Sequence, residues 1–232
     1  MLKKLKIDFH VHTGEDPKDK HIKYSAKQLL DKAAEYHFDA ITIANHNLVL
    51  YNDELREYAE QRGILLIPGI EVYVEGKHVL IVNCRRPYRG SLNFQNIRKY
   101  AGENALIIAP HPFYPREYCL GEVLEENIEV FDAIEYAHLH FRFINFNNKA
   151  VAIAKKYDLP MVGTSDTHTL KQLNTTYSLV EAHKTIPAII NAVKNKRVEV
   201  ITHPMNTWRF FRSGSWFLFS STKKFIRRIL NY

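Results

Sequence analysis

Nine short apolar runs, most of them separated by segments of helical periodicity, constrain this chain more than any other feature. The runs are LKIDFH, DAITIA, ILLIPGIEVYV, HVLIVN, ALIIAP, DAIEYA, PMVGTSD, YSLVEA and VEVITH, each a candidate strand. The first helix is well signalled between them. Ser25 followed three residues later by Gln28 is a capping box, and Ala26, Leu29, Leu30, Ala33 and Ala34 recur at helical spacing. Further helices are expected near residues 53–62, 93–101, 121–128, 145–157 and 186–195. Such alternation is the pattern of βα units around a mainly parallel sheet, and seven or more units without a break in composition favour one closed α/β barrel over a doubly wound sheet. At 232 residues the chain has the size of a single barrel, read as a domain over 1–204 followed by a tail over 205–232.

Composition excludes several classes. Hydrophobic residues at 46% with 25% charged ones are globular proportions, so disorder is not expected. Cys84 and Cys119 are too few for a disulfide framework and lack the spacing of a thiolate zinc site, so both are expected reduced, Cys84 in a strand. No apolar stretch approaches the roughly 20 residues of a membrane span, and the N-terminus lacks a secretory signal; a cytoplasmic protein is the expectation. The net charge of +7 sits largely in residues 207–232, where Arg209, Arg212, Lys223, Lys224, Arg227 and Arg228 stand without a single acid. Basicity therefore belongs to the tail and says little about the substrate of the body.

The polar residues with metal-binding chemistry recur where apolar runs end. DFHVH carries His10 and His12, IANHN carries His46, IPGIEV carries Glu71, and GKHVLIVN opens with His78; IIAPHP then gives His111, and GTSDTH gives Asp166 and His168. In parallel α/β architectures the C-terminal strand ends converge on one mouth, which brings together residues far apart in sequence. Imidazole and carboxylate without thiolate suit zinc, manganese or iron. Residues i and i+2 of a strand face the same way, so HxH can chelate one ion. A carboxylate such as Glu71 can bridge two ions about 3.5–4 Å apart, the spacing used in two-metal hydrolysis.

DFHVHT, NHN, GIEV with a following His, APHP and GTSDTH, in this order over residues 5–183, resemble the PHP domain of polymerases and histidinol phosphatases. The resemblance implies a distorted (β/α)7 TIM-like barrel with a cluster of two or three divalent ions (Zn, Mn or Fe) at the strand C-termini. It also implies a phosphoesterase in which a metal-bridged hydroxide attacks a phosphate ester. Carried across, His10, His12, Glu71 and Asp166 would hold one ion, Glu71, His78 and His111 a second, and Asp16, His46 and His168 a third. Three departures stand out. The acid after HxH lies in an unusual GEDPKD turn, where Asp16 is favoured over Glu15 and Asp19. Asn45 replaces an acid before His46, and His138 stands where the family commonly has asparagine.

Glu71, Asp166 and His138 are the candidate catalytic residues, His138 as proton donor to the leaving group. Arg116, Arg142 and His138 are the candidate substrate contacts, the arginines through bidentate guanidinium grips on phosphate. His21, His37 and His183 are read as solvated, His140 as structural, and His203 as an imitation of the APHP motif. Asp8 shares a face with His10 and His12 and either orients a ligand ring from beneath or only begins the strand. A small phosphorylated substrate is the expected partner. The alternatives are a single-stranded nucleic acid stacked on Trp208, Phe210, Phe211 and Trp216, or a membrane surface met by the amphipathic KKFIRRILNY segment, which otherwise packs on the barrel or a partner subunit.

Overall fold

The computed structural model describes residues 2–88, 90–138 and 145–204; the expectations for His140, Arg142 and the tail lie outside these residues. All nine expected strands are present. In chain order they are β1 (Lys3–Val11), β2 (Ala40–Ile43), β3 (Leu65–Val74), β4 (Lys77–Val82), β5 (Leu106–Ala109), β6 (Ala133–Ala137), β7 (Met161–Thr164), β8 (Thr176–Ala182) and β9 (Val198–Thr202). They form one nearly closed, barrel-shaped sheet in the order β7-β6-β5-β4-β3-β2-β1-β8-β9. Helices α1 (Ala26–Glu35), α2 (Asp53–Glu60), α3 (Ile97–Ala101), α4 (Val123–Glu126), α5 (Asn147–Lys156) and α6 (Ile186–Lys194) fill most connections. Among the described residues no helix is long and apolar enough to cross a membrane.

The sheet is less parallel than the alternation suggests. β1-β2-β3 and β5-β6-β7 pair in parallel, whereas β4 runs antiparallel to both β3 and β5, and β8 antiparallel to both β1 and β9. The cause at β4 is local. Only Glu75 and Gly76 separate it from β3, and both have positive φ (50° and 80°), the backbone of a tight two-residue hairpin turn. Helix α3 also starts later than its periodicity suggests. Asn93 and Asn96 each accept the other's backbone N–H (3.0 and 2.8 Å), a side-chain-closed turn that delays the helix to Ile97. The Ser25–Gln28 capping box at α1 is formed as expected.

Closure depends on β7 lying close to β8. A Cβ added to Gly163 would stand 2.5 Å from the Tyr177 carbonyl oxygen, so only glycine admits that approach, and Ser178 Oγ donates to the Gly163 carbonyl at 3.0 Å. Beyond β7 the chain touches the end of β1, where His12 N–H donates to the Thr167 carbonyl (3.1 Å). Tyr24 Oη caps this seam, 2.9 and 3.0 Å from the carbonyls of His12 and Thr167. Leu5, Ile7 and Phe9 of β1 are buried with Val180, Ile189 and Val193, while Val11 packs beneath α1 with Leu29 and Leu30. The alternate face of β1 carries Asp8, His10 and His12, all 0% exposed. Cys84 is free and buried, just past the end of β4.

Candidate metal centre

Strand alternation and hairpin geometry bring the histidines and acids to one mouth of the barrel. β1 delivers His10 and His12 near its C-terminus. The extension of β2 bridges to β3 at His46 and Glu71, with Asn47 N–H donating to the Glu71 carbonyl at 2.8 Å. In the β3–β4 hairpin Tyr73 faces His78 and Glu71 faces Leu80, so Glu71 and His78 are diagonal neighbours on one face. His111 and Asp166 lie just beyond β5 and β7 with φ of 30° and 44°, a backbone region costly for non-glycine residues and often found at functional sites.

Glu71, 1% exposed, is the hub. Its Oε1 lies 2.8 Å from His78 Nδ1 and 3.2 Å from His111 Nε2. Its Oε2 lies 3.0 Å from His46 Nε2 and 3.5 Å from the Nε2 atoms of both His10 and His12. Four groups of donor atoms within 4.8 Å of one another could hold an ion: His10, His12 and Asp166; His10, Glu71 and His111; His46, Glu71 and His78; and His12, Asp16, Asp19 and His46.

Proton placement shows what the first group accommodates. His10 Nδ1 lies 2.8 Å from Glu135 Oε2, and His12 Nδ1 lies 2.9 Å from Asp16 Oδ2. A carboxylate only accepts, so each Nδ1 carries a proton and each ring turns its Nε2 inward. Those two Nε2 atoms stand 3.0 Å apart, with Asp166 Oδ1 3.6 Å from His10 and 3.3 Å from His12. Two imidazole nitrogens turned on each other at that distance repel unless a proton or a metal cation lies between them. Separations of 3.0–3.6 Å also bracket the ~3.4 Å between donors bonded tetrahedrally at about 2.1 Å. His78 agrees: both ring nitrogens are buried without a hydrogen bond, although Nδ1 lies beside Glu71. The donor set fits divalent metal.

The electrostatics are those of a buried cluster in which imidazoles and carboxylates hold one another's charge. Burial opposes the ionised forms of Glu71 and Asp166, yet the surrounding imidazoles hold both well below the usual carboxylate range. Burial likewise opposes imidazolium at His10, but Glu135, Glu71 and Asp166 outweigh it and raise the ring well above its ordinary value. At His78 burial prevails and the pKa is lowered.

His168 joins this centre through Asp19, whose Oδ2 is 3.0 Å from His168 Nε2 and 3.3 Å from His46 Nδ1. Asp16 reaches His46 and His12. His21 is exposed as expected, with its ring parallel to that of His168 at 5.7 Å. Asn45 Oδ1 accepts Thr13 N–H and its Nδ2 donates to Thr13 Oγ1, both at 2.9 Å, so it fastens the loop after β1 with a donor and an acceptor that an acid could not supply together. Asp8 touches no ring. It accepts the backbone N–H groups of His10 (3.1 Å) and Ser165 (3.2 Å), tying β1 to the turn that bears Asp166, and burial pushes its carboxyl up to about 7.

Two contributors escaped the sequence reading. Glu135, 0% exposed in the middle of β6, accepts His10 Nδ1–H and, through Oε1, the backbone N–H of His111 (3.2 Å). The available signal was an acid between apolar neighbours in DAIEYA. Replacing Glu135 by alanine is expected to weaken divalent metal binding by about 10- to 100-fold, measured by calorimetric titration, with glutamine less harmful because its oxygen still accepts; unchanged affinity in the alanine variant would refute this. Cys119 Sγ lies 3.4 Å from His111 Nδ1, in the same outer position. Tyr118 lies nearly parallel to the His78 ring at 4.3 Å and 17°. Arg116 is half-buried in this 111–120 loop. His138 is buried, and its Nε2 accepts the Gln172 amide N–H (3.2 Å) while Gln172 Oε1 accepts the His168 and Thr169 N–H groups. His203 is exposed at the end of the described chain.

Comparison with known proteins agrees with this architecture. Residues 145–198 match a family model described as PHP-associated. The uncharacterized protein MJ0417 of Methanocaldococcus jannaschii is 24% identical, the match covering 98% of this chain and all of that one. A crystal structure of PsfC from Pseudomonas syringae shares the fold at TM-score 0.60 and 19% identity, covering 87% of this chain and 92% of PsfC. A Bifidobacterium adolescentis protein assigned as a metal-dependent phosphoesterase does so at TM-score 0.56 and 16% identity, covering 73% of this chain and 90% of its own. An amidohydrolase from Chromobacterium violaceum superposes at TM-score 0.53 and 14% identity, over 70% of this chain and 87% of its own. The fold is thus that of metal-dependent phosphoesterases and amidohydrolases. The PHP-associated match over residues 145–198 and the likeness in fold to a metal-dependent phosphoesterase support a PHP-type domain for this chain.

Proposed function

We propose that this protein is a metal-dependent phosphoesterase that hydrolyses a small phosphorylated substrate at the mouth of the barrel. The observation that carries the reading is the pair of Nε2 atoms of His10 and His12 turned on each other at 3.0 Å, with Glu71 and Asp166 beside them and a carboxylate behind each Nδ1. His10, His12, Glu71 and Asp166 would hold one ion, Glu71, His78 and His111 a second, and Asp16, His46 and His168 a third. Bound Zn, Mn or Fe supplies a hydroxide near neutral pH and neutralises charge on the phosphoryl oxygens.

The chain's own groups do the placing. Asp166 and Glu71 fix the geometry from two sides of the mouth. His138 donates the proton to the leaving oxygen from Nδ1, because the Gln172 amide occupies Nε2 as donor. Arg116, on the loop that also carries Tyr118 and Cys119, clamps the phosphate, and Arg142 is the second proposed clamp. Purified protein supplied with manganese should hydrolyse p-nitrophenyl phosphate or its bis-ester, and chelation or His10→Ala should remove the activity. A metal-replete protein inert towards both monoester and diester would overturn the reading.

A further inference from the structure

We propose that the mouth end of the barrel is a docking face for an anionic lipid bilayer, gripped by lysines of the loop after β1 and the turn after β7 together with the C-terminal segment 207–232. The inference concerns where the protein works and does not depend on the chemistry of the metal centre.

The two ends of the barrel differ in how their lysines are compensated. At the mouth, residues 13–24 and 165–175 carry Lys18, Lys20, Lys23 and Lys171, all exposed. None of the four lies within ion-pair distance of an acid among the described residues; Lys18 stands over the Tyr73 ring at 5.8 Å, and Lys23 Nζ donates to the Lys20 carbonyl at 3.4 Å. The acids of the same two segments are engaged elsewhere: Asp16, Asp19 and Asp166 face imidazoles, and Glu15 accepts the Ala26 N–H at the start of α1 (3.1 Å). At the opposite end the pattern reverses. Lys4 pairs with Glu199 (2.9 Å), Lys184 with Asp39 (3.5 Å), Lys194 with Asp132 (3.4 Å) and Lys196 with Asp158. The mouth rim therefore presents a field of positive charge that an anionic surface would compensate.

The C-terminal segment is attached at this same rim. β1 runs towards the mouth, β8 is antiparallel to β1 and β9 antiparallel to β8, so β9 ends at the mouth. Thr202 pairs with Thr176, their hydroxyls 2.7 Å apart, and His203 N–H donates to the Thr175 carbonyl at 2.9 Å, on the turn that carries His168 and Lys171. Length alone would let the last ten residues meet either end of the barrel, since the roughly 18 residues before them span about 60 Å when extended. The uncompensated lysines select the mouth.

The sequence of the segment selects the partner. It holds Arg209, Arg212, Lys223, Lys224, Arg227 and Arg228 without an acid, the apolar run Trp216, Phe217, Leu218 and Phe219, and then Phe225, Ile226, Ile229 and Leu230, which recur at helical spacing opposite the cations. Such an arc suits the boundary of a bilayer, where apolar side chains enter the acyl region and bases meet lipid phosphates. Single-stranded nucleic acid would use aromatic rings as stacking platforms but has no place for the aliphatic Ile226, Ile229 and Leu230.

Cosedimentation of the full chain with vesicles tests the proposal. The protein should bind vesicles of equimolar phosphatidylcholine and phosphatidylserine and remain in solution with phosphatidylcholine alone. Ile226→Ser combined with Ile229→Ser should abolish binding to the mixed vesicles. Lys20→Glu combined with Lys171→Glu should weaken it by at least about 25-fold, at roughly fivefold for each basic residue near the surface. Lys3→Glu combined with Lys4→Glu makes the same charge change at the far end and should alter binding by no more than about twofold, because charges beyond a Debye length are screened. Equal weakening by the two lysine pairs would overturn the proposal, as would a full chain that stays in solution with the mixed vesicles or one that holds an oligothymidylate and no vesicle. If circular dichroism shows that the rim pair or the isoleucine pair does not fold, the remaining pair decides against the Lys3 and Lys4 control.

Discussion

Replacing Glu71 by alanine is expected to strip the protein of bound divalent metal and to slow phosphoester hydrolysis by about 10³-fold, the upper range for loss of one charge-stabilising group. Five imidazoles contact this one carboxylate: His78 and His111 at Oε1, and His10, His12 and His46 at Oε2. No neighbouring acid can substitute, because Asp166 is already engaged with the Nε2 atoms of His10 and His12, and Glu135 is committed to His10 Nδ1 and the His111 backbone. The metal-free variant should also be less stable by roughly 3–5 kcal/mol, since buried imidazoles that share Glu71 as counter-charge lose it. Glu71→Gln keeps the volume and separates charge from packing: it should lose metal and rate as the alanine variant does while melting closer to the wild type. Elemental analysis, p-nitrophenyl phosphate turnover and thermal denaturation measure the three quantities. A Glu71→Ala protein with full metal content and rate would sink the account.

That Glu71 is central was readable because it falls within an apolar run that ends at the barrel mouth, as do His10, His12, His46, His111 and Asp166. A strand end is set by local periodicity, and barrel topology converts those ends into one site without further information. What the sequence hides is whatever depends on partners across the sheet. Glu135 looks like an alternating polar residue of an ordinary strand, and only the approach of β6 to His10 gives it a task. Asp19 and Asp16 are chemically identical and three residues apart; the backbone N–H groups that hold Asp16 in place belong to loop geometry, which has no periodicity. The antiparallel placement of β4 was legible in principle, since a two-residue Glu75–Gly76 connection is too short for a crossover, yet strand-by-strand periodicity is blind to direction. The same hairpin places His78 diagonally from Glu71, so the direction of β4 and the approach of His78 to Glu71 have one cause.

Metal binding should tighten steeply with pH, and metal should move the pH of greatest stability upward. In the metal-free protein burial opposes charge on the rings, but neighbouring carboxylates outweigh it at His46, raised by Glu71, Asp16 and Asp19, and at His168, raised to about 9 by Asp166 and Asp19. A ring with a raised folded pKa contributes stability that is fully present below its unfolded value near ~6.5 and is lost as pH rises through the folded value, which for His168 is about 9. Asp8, raised to about 7 by burial, loses its contribution earlier, as pH rises from about 4 to 7. Asp16, Asp19, Glu71 and Asp166, all held low by imidazoles against burial, contribute stability present above roughly pH 4 and lost on acidification. The metal-free chain should therefore be most stable between about pH 4.5 and 6.5. A divalent ion must displace those ring protons, so its dissociation constant should fall about tenfold per pH unit for each proton released. Because ligand stabilisation grows with the ratio of free ion to dissociation constant, the gap between melting temperatures with manganese and with chelator should widen from pH 5.5 to pH 8.5. An equal gap at both pH values would show that no ring proton leaves when the ion arrives, which histidine ligation by His46 and His168 does not allow.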